Sequence, residues 1–160
     1  MADRAHTRSL TQAEIALAQS IFGGAIQYEA VRIIRRKWAF FQPKNTVMAP
    51  RGNIHFHPRA TCYCGDFSTG SLGDQGLFIH EMTHVWQHQR GIFLPLARHP
   101  FCRYDYAIKP GQPFSRYGIE QQAELVRHAF LLSRKAHVSG APPLDVYLGI
   151  LPFGANALQL

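Results

Sequence analysis

In the stretch GLFIHEMTHVWQHQRG, residues 76–91, two histidines and a glutamate stand in the order His80-Glu81-x-x-His84. On a helix, residues four apart share a face at a spacing of about 6 Å, so both imidazoles can aim a ring nitrogen at one ion. Glu81 sits about 100° round the helix from His80, beside such an ion rather than on it. There its carboxylate can take a proton from a water. His88 continues the same face about 12 Å along the axis and is expected at the rim, outside the site. Nine histidines and five glutamates in 160 residues would produce this pattern by chance only roughly 0.015 times, so composition alone does not account for it.

Two histidines and a water leave a zinc site one protein ligand short. A metzincin supplies that ligand from the same segment, with glycine at position 87 and histidine at 90; this chain has Gln87 and Arg90. The later stretch YGIEQQAELV offers Glu120 and Glu124 one helical turn apart. With Glu120 on the metal, Glu124 can accept a hydrogen bond from the far nitrogen of His80 and fix its tautomer. Glu120 ranks first as third ligand, followed by the reverse assignment with Glu124, and then by a thiolate from Cys62 or Cys64.

Three elements have to position these groups. Thr11 and Glu14 form a T-x-x-E capping box, with Leu10 and Ile15 placed for a hydrophobic staple, and Gly23-Gly24 end that first helix. The His-bearing helix is expected from about Gly73 to Gln89, and a third from about Ile119 to His137, where Leu125, Ala129, Leu132 and Ala136 recur at helical spacing. Prolines and glycines break the intervening segment. Short strands are expected near Ala30 to Trp38, at Thr46 to Ala49 and at Asn53 to His57, the last pair flanking a turn at Pro50 to Gly52. In Ile54-His55-Phe56-His57 apolar and imidazole side chains alternate, which suits an edge strand. Residues 92–116 carry four prolines and read as a long ordered loop, and the tail after Pro142 suits a short helix or turn.

Length and a 46% hydrophobic content fit one domain over residues 1–160, of class α+β. The N-terminus lacks the apolar core of a signal peptide and no run is long enough to span a bilayer, so no membrane partner is expected. Three cysteines, two of them in the cramped Cys62-x-Cys64 spacing, read as reduced thiols. The expectation is a protein cytoplasmic as synthesised, with any export using no Sec-type signal. The net charge of +7 suits an acidic partner, but apart from Arg35, Arg36 and Lys37 the basic residues read as scattered. No nucleic-acid motif accompanies them, and nucleic acid is not an expected partner.

His80-Glu81-Met82-Thr83-His84 followed by Glu120-x-x-x-Glu124 resembles the gluzincin pattern of zinc metallopeptidases. LFIHEMTHVWQHQRG and IEQQAELV are similar to small zincin-like domains that accompany Vgr and Rhs proteins of bacterial type VI secretion and related contractile systems. The resemblance implies a compact zincin-like domain, a minimal gluzincin in which the HExxH helix packs on the ligand-bearing helix beside a small, short-stranded sheet. It implies one Zn²⁺ per chain on His80, His84 and Glu120, with Glu81 as catalytic base and Glu124 supporting His80. The expected activity is hydrolysis of a peptide or protein substrate, and the expected partner a Vgr/Rhs-type secretion protein. The larger gluzincins carry a second helical domain and a distinct oxyanion-stabilising Tyr or His, neither of which is matched here. His99, Tyr104, Tyr106 and Tyr117 in the long loop are available as oxyanion donors, and Asn53 to His57 as the edge along which a substrate would pair. The alternative is a zinc-binding accessory or structural domain of the secretion particle with little or no turnover.

Overall fold

The computed structural model describes residues 6–97 and 103–153. Strand β1 (His6–Ser9) leads directly into helix α1 (Gln12–Phe22), whose start is the expected capping box. Thr11 Oγ1 accepts from the Glu14 amide at 3.0 Å, and Glu14 Oε2 accepts from the Thr11 amide at 2.9 Å. Glu14 does far more than cap. Its carboxylate is fully buried, takes both guanidinium nitrogens of Arg8 at 2.8 Å, and accepts the Phe67 amide at 2.9 Å. Arg8 also donates to the Cys64 carbonyl at 3.1 Å, and Thr11 Oγ1 to Asp66 at 3.1 Å. One carboxylate therefore ties β1, α1 and the 64–67 segment together, each hydrogen bond charge-assisted.

β1 pairs antiparallel with β2 (Arg32–Arg35), which pairs parallel with β3 (Ile54–His55), giving a three-stranded sheet in the order β1-β2-β3. The expected strand at Thr46 to Ala49 shrinks to a single bridge, in which Met48 and His55 exchange amide hydrogen bonds at 2.8 and 3.1 Å. The buried side chain of Gln42 takes over much of the missing ladder, donating to the Thr46 carbonyl at 2.7 Å and the His55 carbonyl at 3.0 Å. Asn53 to His57 is consequently not an open edge: β2 lies on one side and Met48 and Gln42 on the other. Ile54, His55, Phe56 and His57 are all buried, so the alternation marks two covered faces rather than one covered and one wet.

Helix α2 (Leu72–Gln89) starts at a second capping box, Ser71 with Asp74, and is buried on all sides from Phe78 to Gln87. It ends in a Schellman turn at Gly91, φ 88°, with the Ile92 amide on the Gln87 carbonyl at 3.1 Å. After the short helix α3 (Leu94–Ala97) comes α4 (Ile119–Ser133), which packs along α2. Gly76 lets the helices approach, because a Cβ there would lie 3.3 Å from Arg127 Nε and Leu131 Cδ2. α4 stops four residues before the expected His137. Lys135 adopts φ 60°, and the Lys135 and Ala136 amides turn back onto the Leu132 and Leu131 carbonyls at 2.9 and 3.0 Å, a Schellman turn made without glycine. Helix α5 (Leu144–Leu148) then buries Tyr147 against the core. A stack of Phe56, Phe67 and Phe78, with ring centroids 5.5 and 5.6 Å apart, joins the sheet to α2.

Removing the Glu14 carboxylate leaves Arg8 and the Phe67 amide without their partner in a buried place. Glu14→Ala is expected to cost about 3 kcal/mol, against about 1 kcal/mol for Thr11→Ala, which removes the cap and one partly exposed hydrogen bond to Asp66. Urea unfolding of the two variants checks this; equal costs would reduce Glu14 to a capping residue.

Candidate metal centre

One turn of α2 separates His80 from His84, and the first turn of α4 carries Glu120 to meet them. His80 Nε2 and His84 Nε2 lie 3.3 Å apart, and Glu120 Oε2 stands 3.2 Å from the first and 3.1 Å from the second. All three residues are buried, and they are the His/Cys/Asp/Glu group among the described residues whose ligand atoms converge. Tetrahedral coordination with bonds of about 2.0–2.1 Å sets neighbouring ligand atoms roughly 3.3 Å apart, which is the spacing found.

The far side of each ring explains why these nitrogens point inward. His80 Nδ1–H donates to Glu124 Oε1 at 2.7 Å, and His84 Nδ1–H donates to Gln87 Oε1 at 2.8 Å. Gln87 is oriented in turn: its amide donates to the Ile119 carbonyl at 3.0 Å and to Gln122 Oε1 at 2.9 Å, while Gln122 donates to the Tyr117 carbonyl at 2.9 Å. Both imidazoles are thereby held with the Nε2 lone pair directed at a common point, the arrangement a divalent ion requires. The residues present fit such an ion.

Behind Glu124 the hydrogen bonds continue. Its second oxygen pairs with His128 Nε2 at 3.3 Å, and Arg127 lies 3.3 Å from the first. His128 Nδ1 accepts from the Tyr106 hydroxyl, which meets the Tyr147 hydroxyl at 2.8 Å. Burial pushes the Glu124 carboxyl up, but His128, His80 and Arg127 outweigh it and hold the group well below the usual carboxylate range. At His80, burial pulls the imidazolium down, and Glu120, Glu124 and Glu81 more than offset it, so its pKa is pushed up to about 9.

Glu81 is buried next to this cluster without joining it. Its Oε2 has no hydrogen-bond partner among the described residues. Cys62 and Cys64 are half-buried free thiols outside the cluster, and burial pushes both pKa values up, with the charge of Glu81 adding to the effect at Cys62. His88 lies outside the cluster, its ring against Gly52, where a Cβ would come within 2.7 Å of it. Among the loop tyrosines, Tyr104 stacks on His80 with centroids 6.1 Å apart, Tyr106 belongs to the chain behind Glu124, and Tyr117 is buried, accepting the Lys109 amide at 3.3 Å. His99 and Cys102 lie outside the described residues. An apolar cavity of about 230 Å³ opens beside His84, lined by Trp38, Phe41, Met48, Leu94 and Ile119. A larger groove of about 930 Å³, lined by Trp86, Arg90 and Phe114 among others, contains none of the converging residues.

Gln87, Gln122, His128 and Tyr106 are the supporting residues that sequence reasoning missed. Gln87 follows His84 by three and His128 follows Glu124 by four, spacings that put each on the face of the residue it supports, but neither carries a motif.

No family model matches the chain. The chain is similar to the type VI secretion system spike protein VgrG2b of Pseudomonas aeruginosa, at 43% identity over 132 residues, covering 78% of this chain and 13% of that protein. It is also similar to the solved structure of the effector domain of Pseudomonas aeruginosa VgrG2b, with a TM-score of 0.74 and 41% identity, covering 79% of this chain and 75% of that one.

The raised pKa of His80 sets a pH window. A histidine whose folded pKa of about 9 exceeds its ordinary value of about 6.5 stabilises the metal-free fold below that lower value. The contribution is lost as pH rises through the higher one. A divalent ion entering the cluster would have to displace the same proton, so its affinity would rise over the same window. Melting of the metal-free protein is expected to fall between about pH 6.5 and 9, and the affinity for added zinc, read by competition with a chromophoric chelator, to climb. If the cluster holds zinc, Glu120→Ala is expected to abolish stoichiometric binding, and Glu124→Ala to weaken it about 10–100-fold.

Proposed function

Because the chain belongs to the family of the VgrG2b effector domain, we propose that it is a type VI secretion effector, a zinc-dependent metallopeptidase acting on a peptide or protein substrate. The observation that carries the catalytic part is Glu81. A carboxylate oxygen buried without a hydrogen-bond partner costs on the order of 1–3 kcal/mol or more. A purely structural metal domain would have no use for it beside a metal-ligand cluster, whereas a general base must keep an oxygen for its proton.

In this reading His80, His84 and Glu120 would hold one zinc ion, which would supply Lewis acidity toward a carbonyl and a water. Glu81 takes the proton of the attacking water and returns it to the leaving amine. Glu124 and Gln87 keep the two imidazoles in one tautomer and orientation through the cycle, so no ligand has to reorganise as charge develops. The apolar cavity beside His84 excludes water from one flank and suits an apolar substrate side chain. A substrate strand does not add at Asn53 to His57, where Met48 and Gln42 already occupy the backbone groups. Attachment to a spike protein as delivery vehicle is part of the same proposal, supported by the relative's being such a protein.

Glu81→Gln keeps the shape of the side chain and removes its basicity. It is expected to lower cleavage of a peptide library by at least about 10²-fold while zinc content by atomic absorption stays at one per chain. A variant that loses zinc together with cleavage would make Glu81 part of the metal shell. A wild type that binds zinc and cleaves nothing would favour the non-hydrolytic accessory domain.

A further inference from the structure

The net charge of +7 is confined to one stretch of the chain. From Ala30 to Gly65 there is no Asp or Glu, and seven of the seventeen Lys and Arg fall there; the other ten balance the chain's ten acidic residues. The fold exposes most of this charge: Arg35, Arg36, Lys37, Lys44 and Arg59 are all at the surface. Arg35, Arg36 and Lys37 are consecutive, and Lys37, Lys44 and Arg59 gather about His57. The His57 imidazolium, pulled down first by burial, is lowered further by Lys37, Arg59 and Lys44 together.

In the middle of this charge the loop after β2 presents two phenylalanines to water, Phe40 at 89% and Phe41 at 62% exposure. Nothing about the loop is slack. Lys37 Nζ donates to the Phe40 carbonyl at 3.0 Å, the Trp38 amide donates to Gln42 Oε1 at 2.8 Å, and buried Gln42 is fastened to the Thr46 and His55 carbonyls. Beyond their edge-to-face contact with each other, two adjacent aromatic rings so exposed forgo most of the burial that would favour them. Projecting rings flanked by cations match a lipid interface, where aromatic groups enter the headgroup boundary while Lys and Arg meet lipid phosphates. They match single-stranded nucleic acid poorly, because the two rings meet edge to face at 84° and offer no flat platform for successive bases.

We infer that this face docks on an anionic phospholipid bilayer, with Phe40 and Phe41 inserted at the headgroup boundary and Arg35, Arg36, Lys37 and Lys44 facing the lipid phosphates. The contact requires no spanning segment, and no described helix is long and apolar enough to be one. It stands independently of the chemistry at His80 and His84. Trp38 and Phe41 also line the cavity beside His84, so docking brings that cavity to the membrane surface.

Flotation of the full chain with vesicles tests the inference. Binding is expected to phosphatidylcholine vesicles containing about 30% phosphatidylglycerol and not to phosphatidylcholine alone, and to weaken with salt. Phe40→Ser with Phe41→Ser, and separately Lys37→Glu with Lys44→Glu, are each expected to weaken it by about tenfold or more, with melting temperature and zinc content unchanged. The pair Lys109→Glu with Arg116→Glu, two exposed residues away from the loop, matches the change in net charge and is expected to have a much smaller effect. Failure to float on anionic vesicles at low salt overturns the inference. So does equal weakening by both charge pairs, which would reduce the effect to net charge, or undiminished binding by the double serine variant. Retention of a single-stranded oligonucleotide that these variants lose, without flotation, would assign the face to nucleic acid instead.

Discussion

Two imidazole nitrogens and a carboxylate oxygen held within 3.3 Å of one another in a buried place are the arrangement on which the rest of the molecule depends. A carboxylate without compensation is costly to bury, and so are ring nitrogens taken out of water. The fold meets this cost by packing α4 on α2 at a glycine, so that Glu120 arrives from a second helix, and by occupying the outer nitrogen of each ring. The hydrogen bonds of Glu124 and Gln87 therefore belong to the folding problem as much as to any chemistry. They fix which nitrogen faces inward before anything binds.

What could be read from sequence was whatever chemistry or local geometry compels at short range. The spacing of His80, Glu81 and His84 is set by one helical turn, and Glu120 and Glu124 by another. The capping box at Thr11 lies within one turn, and so does the glycine that ends α2. Features that depend on distant partners were hidden. Glu14 reads as a cap because Arg8 and the Phe67 amide reach it only in the folded chain. Gln87, Gln122 and His128 read as ordinary polar positions of helices, since nothing local separates a buried amide network from a solvated face. α4 was overextended because its stop uses Lys135 in a left-handed conformation that glycine usually signals. The Asn53 to His57 segment was given an open edge because Gln42 covers it with a side chain rather than with a strand.

The basic residues illustrate the same limit from the other side. Taken one by one along the chain they look dispersed. Their significance lies in the acidic residues that are missing between Glu29 and Asp66 and in the surface on which β2 and the following loop assemble them. The polar chain through Tyr147, Tyr106, His128 and Glu124 runs through the other half of the molecule and joins α5 to α4.

The two rings are not supported alike. His80 leans on a carboxylate and His84 on a carboxamide, so the first imidazole can share its outer proton with an anion and the second cannot. The two imidazoles therefore differ in donor strength, with His84 the weaker. The less basic imidazole, His84, is the one that borders the apolar cavity. An uneven pair of hydrogen bonds thus gives the pocket a front and a back.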